Sequence, residues 1–566
     1  MQTIIDIVQQ RAYLTPNAVA YRFVQGAALD VSELSYGELW HLSCQLGVVL
    51  QERGLRGQQV LLVCKSQQHF VVSFFACLAA GVIAVPTALP RRKALIGRLQ
   101  LLLKDAGAQA ILSDSAELQD LAAQSALDYV DVQSWMDGME CAAQGNVRPL
   151  GLPPVPQDGI AFLQYTSGST GDPKGVVVTH ANLMANSAAI SQAMAISGAS
   201  AVFTALPLFH DMGLVGGVIQ PMYAGCVGHC MLPAEFVQYP ERWLQSISKF
   251  KITVSGGPNF MYELAARSIE AGLVDGCDLS QWNLAFCGAE PIRPGTVSAF
   301  SKRFAEIGFQ AGAFYPCYGM AESTLFITGQ TPGKPYATRA YEAGSAVGCG
   351  TVFGDTEVLI VDPDTRCAIP DRQVGEIWVR GSSVASGYWQ RPDLSATTFQ
   401  ATLAGDAGKT YLRTGDLGFL QDAQLYVTAR LKDVIVMYGK KYAPQDIEAE
   451  AQASHPAVCE QGGAAFSVTC DGADTLVLVC ELRRAWMRQP DAWPLIARAI
   501  RSAISAAFGL TLDDVVFIKP TTLPRTSSGK VRRAQCRSDY LDGALDYIQR
   551  PDQALPASSM PSDAVA

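Results

Sequence analysis

Charge is sparse in this chain. Asp, Glu, Lys and Arg supply 17% of its 566 residues and leave a net charge of −9, a balance that argues against general nucleic-acid binding. The 15 cysteines form no paired framework, which speaks against a disulfide scaffold and for a reducing, cytoplasmic setting. The closest approach to a metal motif, Cys226-Val227-Gly228-His229-Cys230, lacks a second half at ligand spacing, so no zinc site is expected. The opening residues Met1-Gln2-Thr3-Ile4-Ile5-Asp6 carry no basic n-region, and no signal peptide is read there. The stretch 70–90 has no charge, but Ser73, Gly81, Pro86 and Thr87 interrupt it. Its apolar core falls short of the ~20 residues that a membrane span requires. It predicts a buried helix running into a strand at Val82-Ile83-Ala84-Val85. No internal repeat is visible.

What is present is a large globular chain. Hydrophobic residues make up 49%, and the length exceeds what one core supports, so two or more domains are expected. Strand and helix patterns alternate from residue 20 to about 330, which predicts an α/β fold with parallel sheets and helices on their faces. Ala161-Phe162-Leu163 reads as a strand and 180–194 as a helix. Ile252-Thr253-Val254-Ser255 and Leu284-Ala285-Phe286-Cys287 read as strands. They end at Gly256-Gly257-Pro258 and Gly288-Ala289-Glu290-Pro291, and ligands of open α/β sheets collect at such carboxyl ends. From 352 to 429 short alternating strands, including 357–361 and 375–380, predict a β-rich subdomain at the end of a domain spanning 1–429. A smaller α+β unit is expected over 430–550. The Pro-, Ser- and Ala-rich tail 551–566 is expected to be disordered.

The most informative segment is Gln164-Tyr165-Thr166-Ser167-Gly168-Ser169-Thr170-Gly171-Asp172-Pro173-Lys174-Gly175. Its glycines permit close backbone approach, so N–H groups can wrap phosphate oxygens, and Lys174 adds positive charge. The spacing is not that of a Walker A loop, so an ordinary P-loop NTPase is not indicated. Four further blocks follow in order. They are Tyr318-Gly319-Met320-Ala321-Glu322-Ser323-Thr324, Tyr411-Leu412-Arg413-Thr414-Gly415-Asp416, Arg430-Leu431-Lys432-Asp433 and Leu523-Pro524-Arg525-Thr526-Ser527-Ser528-Gly529-Lys530.

This series resembles the signatures of the adenylate-forming superfamily, which activates carboxylates as acyl-AMP. The resemblance implies ATP and Mg²⁺ as cofactors. It assigns the ATP phosphates to Thr166, Ser167, Gly168, Ser169, Thr170, Gly171 and Lys174. Gly288, Ala289, Glu290 and Pro291 would line the adenine edge, with Tyr318 stacked on the base and Gly319, Met320, Ala321 and Ser323 beside it. Glu322 would hold Mg²⁺, a hard cation that prefers carboxylate oxygen. Asp416 would accept both ribose hydroxyls, assisted by Arg430. Lys530 would offset charge in the transition state. Lys432 stands at the hinge position, about which the C-terminal domain is expected to swing between two half-reactions.

A finer resemblance, over nearly the whole chain to about residue 540, is to fatty acyl-AMP ligases. It rests on Leu206-Pro207-Leu208-Phe209-His210-Asp211-Met212-Gly213-Leu214, on Ser255-Gly256-Gly257-Pro258-Asn259-Phe260, and on Ala321, which stands where most other branches carry threonine. It implies a carboxylic acid substrate, a catalytic role for His210, and transfer to the phosphopantetheine of an acyl carrier protein. Coenzyme A is the alternative acceptor, and an amide-forming ligase the alternative activity. Two departures stand out: 329–353 is short where the branch carries an insertion, and Ala429 replaces a glycine before Arg430. The acyl pocket is expected to be lined around Val215, Gly216, Met222, Phe260 and Met261. These are apolar or small, so an uncharged hydrophobic acid is favoured over an amino acid. The basic cluster Arg525, Arg532 and Arg533 near Lys530 is expected to help steer an acidic carrier protein.

Overall fold

The computed structural model describes residues 2–89, 96–142, 152–166, 173–270, 272–341, 344–437, 440–470, 473–526 and 529–549. The chain divides into two compact units, the larger reaching Thr428 and the smaller formed mainly from Ala429 onward, together with the segment Tyr341–Gly344.

The larger unit is built on two α/β sheets. In chain order, the strands are β1 (Val19–Gln25), β2 (Asp30–Ser35), β3 (Gln59–Val63), β4 (Ile83–Pro86), β5 (Ala110–Ser113), β6 (Asp128–Asp131), β7 (Ile160–Thr166) and β8 (Lys174–Thr179). They continue as β9 (Ala201–Thr204), β10 (Val227–Met231), β11 (Val254–Gly257), β12 (Leu284–Cys287), β13 (Phe314–Gly319) and β14 (Phe326–Gly329). One sheet has the order β6-β5-β3-β4-β7-β8. The other runs from the short strand Thr351–Val352 through β14-β13-β12-β11-β9-β10-β1-β2. From β13 to β1 every pairing is parallel, and antiparallel neighbours appear only toward the edges.

The uncharged stretch after Gln67 forms the helix Gln67–Ala80, closed by Gly81 in the left-handed region, and then β4. Its residues are buried on every side from Phe70 to Ala80. It shares one core with strands of both sheets, so its uniform apolarity reflects position between elements. Among the described residues no helix is long and apolar enough to cross a membrane. The Cys226–Cys230 string forms β10 and the turn before it, with both thiols and His229 buried. His229 meets the Val202 carbonyl at 3.2 Å through Nδ1, and burial lowers its pKa to about 4. A second core under β9 to β13 is aromatic: Trp243, Tyr262, Trp282 and Phe300 pack with ring centroids about 5–6 Å apart, mostly edge to face.

After Thr351–Val352 come the antiparallel strands Glu357–Val361, Gly375–Arg380, Ala401–Leu403 and Asp406–Gln421. The smaller unit carries a four-stranded sheet of Val458–Cys470, Ala473–Leu482, Asp514–Ile518 and Tyr547–Gln549, with helices Pro444–Ser454, Trp493–Phe508 and Arg533–Leu541.

Candidate active site

In the larger unit the expected ligand-binding residues lie near the carboxyl ends of β11, β12 and β13 and on the β-rich strands. Tyr318, near the end of β13, donates its hydroxyl to Asp416 Oδ2 at 2.8 Å. Asp416 is only 8% exposed and is held by its own turn, with its N–H donating to Thr414 Oγ1 at 3.1 Å. That turn hangs on Glu376, a buried carboxylate that the sequence reading passed over. Glu376 accepts from the Trp378 indole, from Arg413 Nε and from the Gly415 N–H. Gly415 has φ +69°, a left-handed conformation that favours glycine. The period-two spacing of Glu376 and Trp378 on a strand was the available signal, since it places both on one face.

Glu322 sits in a single 3₁₀ turn, Ala321–Ser323, and its Oε1 accepts from the Tyr388 hydroxyl at 2.9 Å. The Tyr388 ring in turn lies under Lys174 Nζ, 5.6 Å from the centroid. Tyr388 was also missed by the sequence reading. It reaches the site because 386–389 bonds β8 as a further extended segment, with Trp389 N–H donating to the Gly175 carbonyl at 2.7 Å. Behind the turn, Thr324 adopts φ +64° and is held by its hydroxyl bond to the Ser383 carbonyl. A β-branched residue in that region is strained, a condition that concentrates at functional sites.

Lys174 opens β8 and pairs with Thr166 at the end of β7, so the phosphate-loop string connects an antiparallel hairpin. Ser167, Gly168, Ser169, Thr170 and Gly171 lie outside the described residues. The hairpin base is anchored by Tyr165, which donates to Asp105 Oδ2 at 2.7 Å. In the Gly288–Pro291 turn, Ala289 has φ +66°. The Glu290 carboxylate is already engaged, accepting from the Phe260 N–H at 2.6 Å, and therefore caps the helix Asn259–Ser268. Gly319 could carry no side chain, because a Cβ there would collide with the Leu325 carbonyl oxygen. His210 Nδ1 pairs with Asp211 Oδ1 at 2.7 Å, and the same oxygen accepts from the Met212 N–H.

An apolar cavity adjoins this cluster, with Ala289, Tyr318, Gly319 and Asp211 at one end. One wall is the π-helix Met212–Ile219, in which Gln220 N–H donates to the Val215 carbonyl. This wider helical turn brings residues four apart toward one line, and Met212, Gly216 and Gln220 face the cavity. Ile190, Met194, Val202, Val254 and Phe286 contribute elsewhere. Of the five residues expected to line the pocket, only Gly216 is on this wall. Val215 and Met222 are buried in the first core and Met261 in the second, with Phe260 packed against that second core. Of the run 215–222 only Gly216 and Gln220 face the cavity, and neither Phe260 nor Met261 does. Cys317 also lines the cavity, and burial pushes its thiol far above the ordinary range, so it is an inert wall.

In the smaller unit Lys530 follows Gly529, which has φ +85°. Main-chain and hydroxyl bonds hold the loop: Thr526 N–H to the Lys530 carbonyl at 2.8 Å, and Lys530 N–H to Thr526 Oγ1 at 3.1 Å. Arg430 and Lys432 are exposed, Lys432 in the 3₁₀ turn Leu431–Asp433. Two of the arginines expected to steer a partner are tied into the smaller unit. Arg533 makes two 2.6 Å bonds to buried Glu448, and Arg525 donates to the carbonyls of Gln461 and Gly529.

The profile of the AMP-binding enzyme family matches residues 8–389. The chain belongs to that family. Residues 432–550 of this AMP-binding enzyme match a second profile, the AMP domain of Disco-interacting protein 2-like proteins. It is 37% identical to JamA of Moorena producens, a medium-chain-fatty-acid–[acyl-carrier-protein] ligase, over 96% of both chains. It is 32% identical to FadD23 of Mycobacterium tuberculosis, a long-chain-fatty-acid–AMP ligase, over 95% of this chain and 96% of the relative. A fatty acyl-adenylate ligase from Legionella pneumophila, solved with acyl adenylate and pyrophosphate, superposes with TM-score 0.74 at 34% identity. That match covers 97% of this chain and 98% of the other.

The residues of the family member fit a nucleotide and a hard cation. Asp416 is a held and nearly buried carboxylate, and Glu322 offers carboxylate oxygen beside Tyr388, whose ring lies under Lys174.

Proposed function

We propose that this protein activates a hydrophobic carboxylic acid with ATP and passes the acyl group to the phosphopantetheine thiol of an acyl carrier protein. The observation that carries the reading is the apolar cavity of the larger unit, which ends at Tyr318, the residue bonded to Asp416. In the first half-reaction a carboxylate oxygen of the acid attacks the α-phosphorus of ATP, and the bond to pyrophosphate breaks. In the second, the thiol sulfur attacks the acyl carbon, its proton is released, and AMP leaves.

Catalysis of this kind rests on positioning and charge complementarity. The cavity excludes water from the chain of the acid. Asp211 orients the His210 imidazole at the cavity end where the carboxylate would lie. Asp416 would receive the ribose hydroxyls and Tyr318 the base, and Arg430 would assist at the ribose. Lys174 and the loop before it would receive the phosphates, and Lys530 the charge that builds at the α-phosphorus. Glu322 would hold Mg²⁺, whose charge, when bound, offsets that of the phosphates. The names of relatives such as JamA, which point to fatty acids and carrier proteins, support the acid and the acceptor. A cytoplasmic setting is part of this reading.

Tyr388→Phe tests the metal assignment. It removes one bond to the Glu322 carboxylate and keeps the ring under Lys174. Calorimetric titration with ATP at varied Mg²⁺ is expected to show a rise of about tenfold in the Mg²⁺ needed for half-maximal affinity, as befits a bond to a charged group. An unchanged Mg²⁺ dependence removes Tyr388 from the site.

The acceptor is tested by thioester formation from one acid with a phosphopantetheinylated carrier protein and with coenzyme A at equal concentration. Faster loading of the carrier is expected. Faster formation of acyl-CoA overturns that part of the reading and makes the protein an acyl-CoA synthetase.

A further inference from the structure

The cavity has a polar floor. Its direction follows from the strands: β9, β11 and β12 run parallel, with Val202 opposite Val254 and Val254 opposite Leu284. Ala289 lies beyond the carboxyl end of β12, whereas Val202 and Val254 lie near the amino ends of β9 and β11. The cavity therefore runs back along the sheet from the site of Tyr318 and Ala289 toward those amino ends. Along its helical wall Met212 neighbours Asp211 at the mouth, and Gln220 stands eight positions deeper.

Gln220 is 0% exposed. Its Nε2 donates to Ser191 Oγ at 2.7 Å, and its Oε1 has no hydrogen-bond partner among the described residues. The remaining lining at this depth is apolar: Ile190, Met194, Ile196, Val202 and Val254. A buried carbonyl oxygen left unmatched is costly, and a plain alkyl chain end set against it would keep it unmatched. A ligand hydroxyl or N–H would satisfy it.

We propose that this pocket takes an acid whose chain carries a hydrogen-bond donor, in the simplest case a hydroxyl, near its far end, and that Gln220 Oε1 receives it. The inference rests on the acyl-activation reading above and deepens it. The distance sets the chain length. Eight helical positions advance on the order of 10 Å, and an extended chain covers about 3.6 Å in three bonds, so roughly eight carbons reach from the mouth to Gln220. Sites built to pair a substrate donor reject analogues that lack it far more strongly than apolar pockets reject a change in size. Gln220 is thus a specificity-determining residue, set in place by Ser191.

The test compares octanoic, 8-hydroxyoctanoic and 7-oxooctanoic acids in ATP–pyrophosphate exchange, with wild-type protein and with Gln220→Leu. The wild type is expected to prefer the hydroxy acid by about tenfold in kcat/KM over octanoic acid, the gain of one satisfied hydrogen bond. Gln220→Leu is expected to invert that preference. The wild-type ratio decides alone if the variant does not fold. Equal or better use of octanoic acid by the wild type overturns the inference and leaves acyl activation standing. Preference for the oxo acid, which can only accept, also overturns it, because the amide would then present its N–H to the ligand. No exchange with any hydrophobic acid overturns the acyl-activation reading and this inference with it.

Discussion

Lys530→Ala is expected to lower acid-dependent ATP–pyrophosphate exchange by at least ~10²-fold, the scale of losing one preorganised transition-state donor. The loop itself should survive the change. Its closing bonds include the main chain of residue 530 and the Thr526 hydroxyl, and its turn depends on Gly529 at φ +85°. In a variant shown to be folded, the loss is attributable to the ammonium group. Transfer from supplied acyl-AMP to the acceptor is expected to be largely spared, because the lysine serves the step that forms the adenylate. Near-normal exchange in a folded variant would sink the assignment. Equal loss in both half-reactions would show that Lys530 acts beyond adenylation.

Asp416→Ala is expected to weaken ATP and AMP binding by at least about 10²-fold, since two charge-assisted bonds to ribose hydroxyls at roughly 1.5–3 kcal/mol each are at stake. The substitution also removes the acceptor of the Tyr318 hydroxyl, so part of the effect could come from a displaced ring. Tyr318→Phe separates the two: it drops the hydroxyl and leaves the Asp416 carboxylate in its turn. That turn is fixed by Glu376 through Arg413 and Gly415, neither of which touches the Asp416 side chain through these bonds, so the fold should be retained. Unchanged nucleotide affinity in calorimetric titration of folded Asp416→Ala removes this residue from the site.

Several elements were legible because local pattern and tertiary position agree. The helix His180–Met194 and the strands Leu284–Cys287, Glu357–Val361 and Gly375–Arg380 have the same bounds in the structure as in the sequence reading. The strand read at 252–255 shows where local rules stop. It begins at Val254 and continues through Gly256 and Gly257, residues that read as its end. Those glycines stay in the sheet because their neighbours leave no room for a side chain: a Cβ at Gly256 would collide with the Phe286 backbone of β12, and one at Gly257 with the Met261 sulfur. A breaker in sequence terms is here a packing requirement.

By itself, then, the order of residue types determined the α/β class, the family and the blocks from which a nucleotide site could be drawn, because each block is a short string whose backbone needs and side-chain chemistry are local. Only the tertiary structure decided which side chains meet. Tyr388 reaches Glu322 from 66 positions away, and Tyr318 reaches Asp416 from 98. Arg533 turned from a surface charge into the partner of Glu448, and Gln220 from one residue of an apolar run into the polar floor of the cavity. The physical reason is common to all four. Hydrogen-bond geometry and burial depend on where sheets and helices pack, and a one-position turn of a helix exchanges a wall residue for a core residue without altering the pattern along the chain.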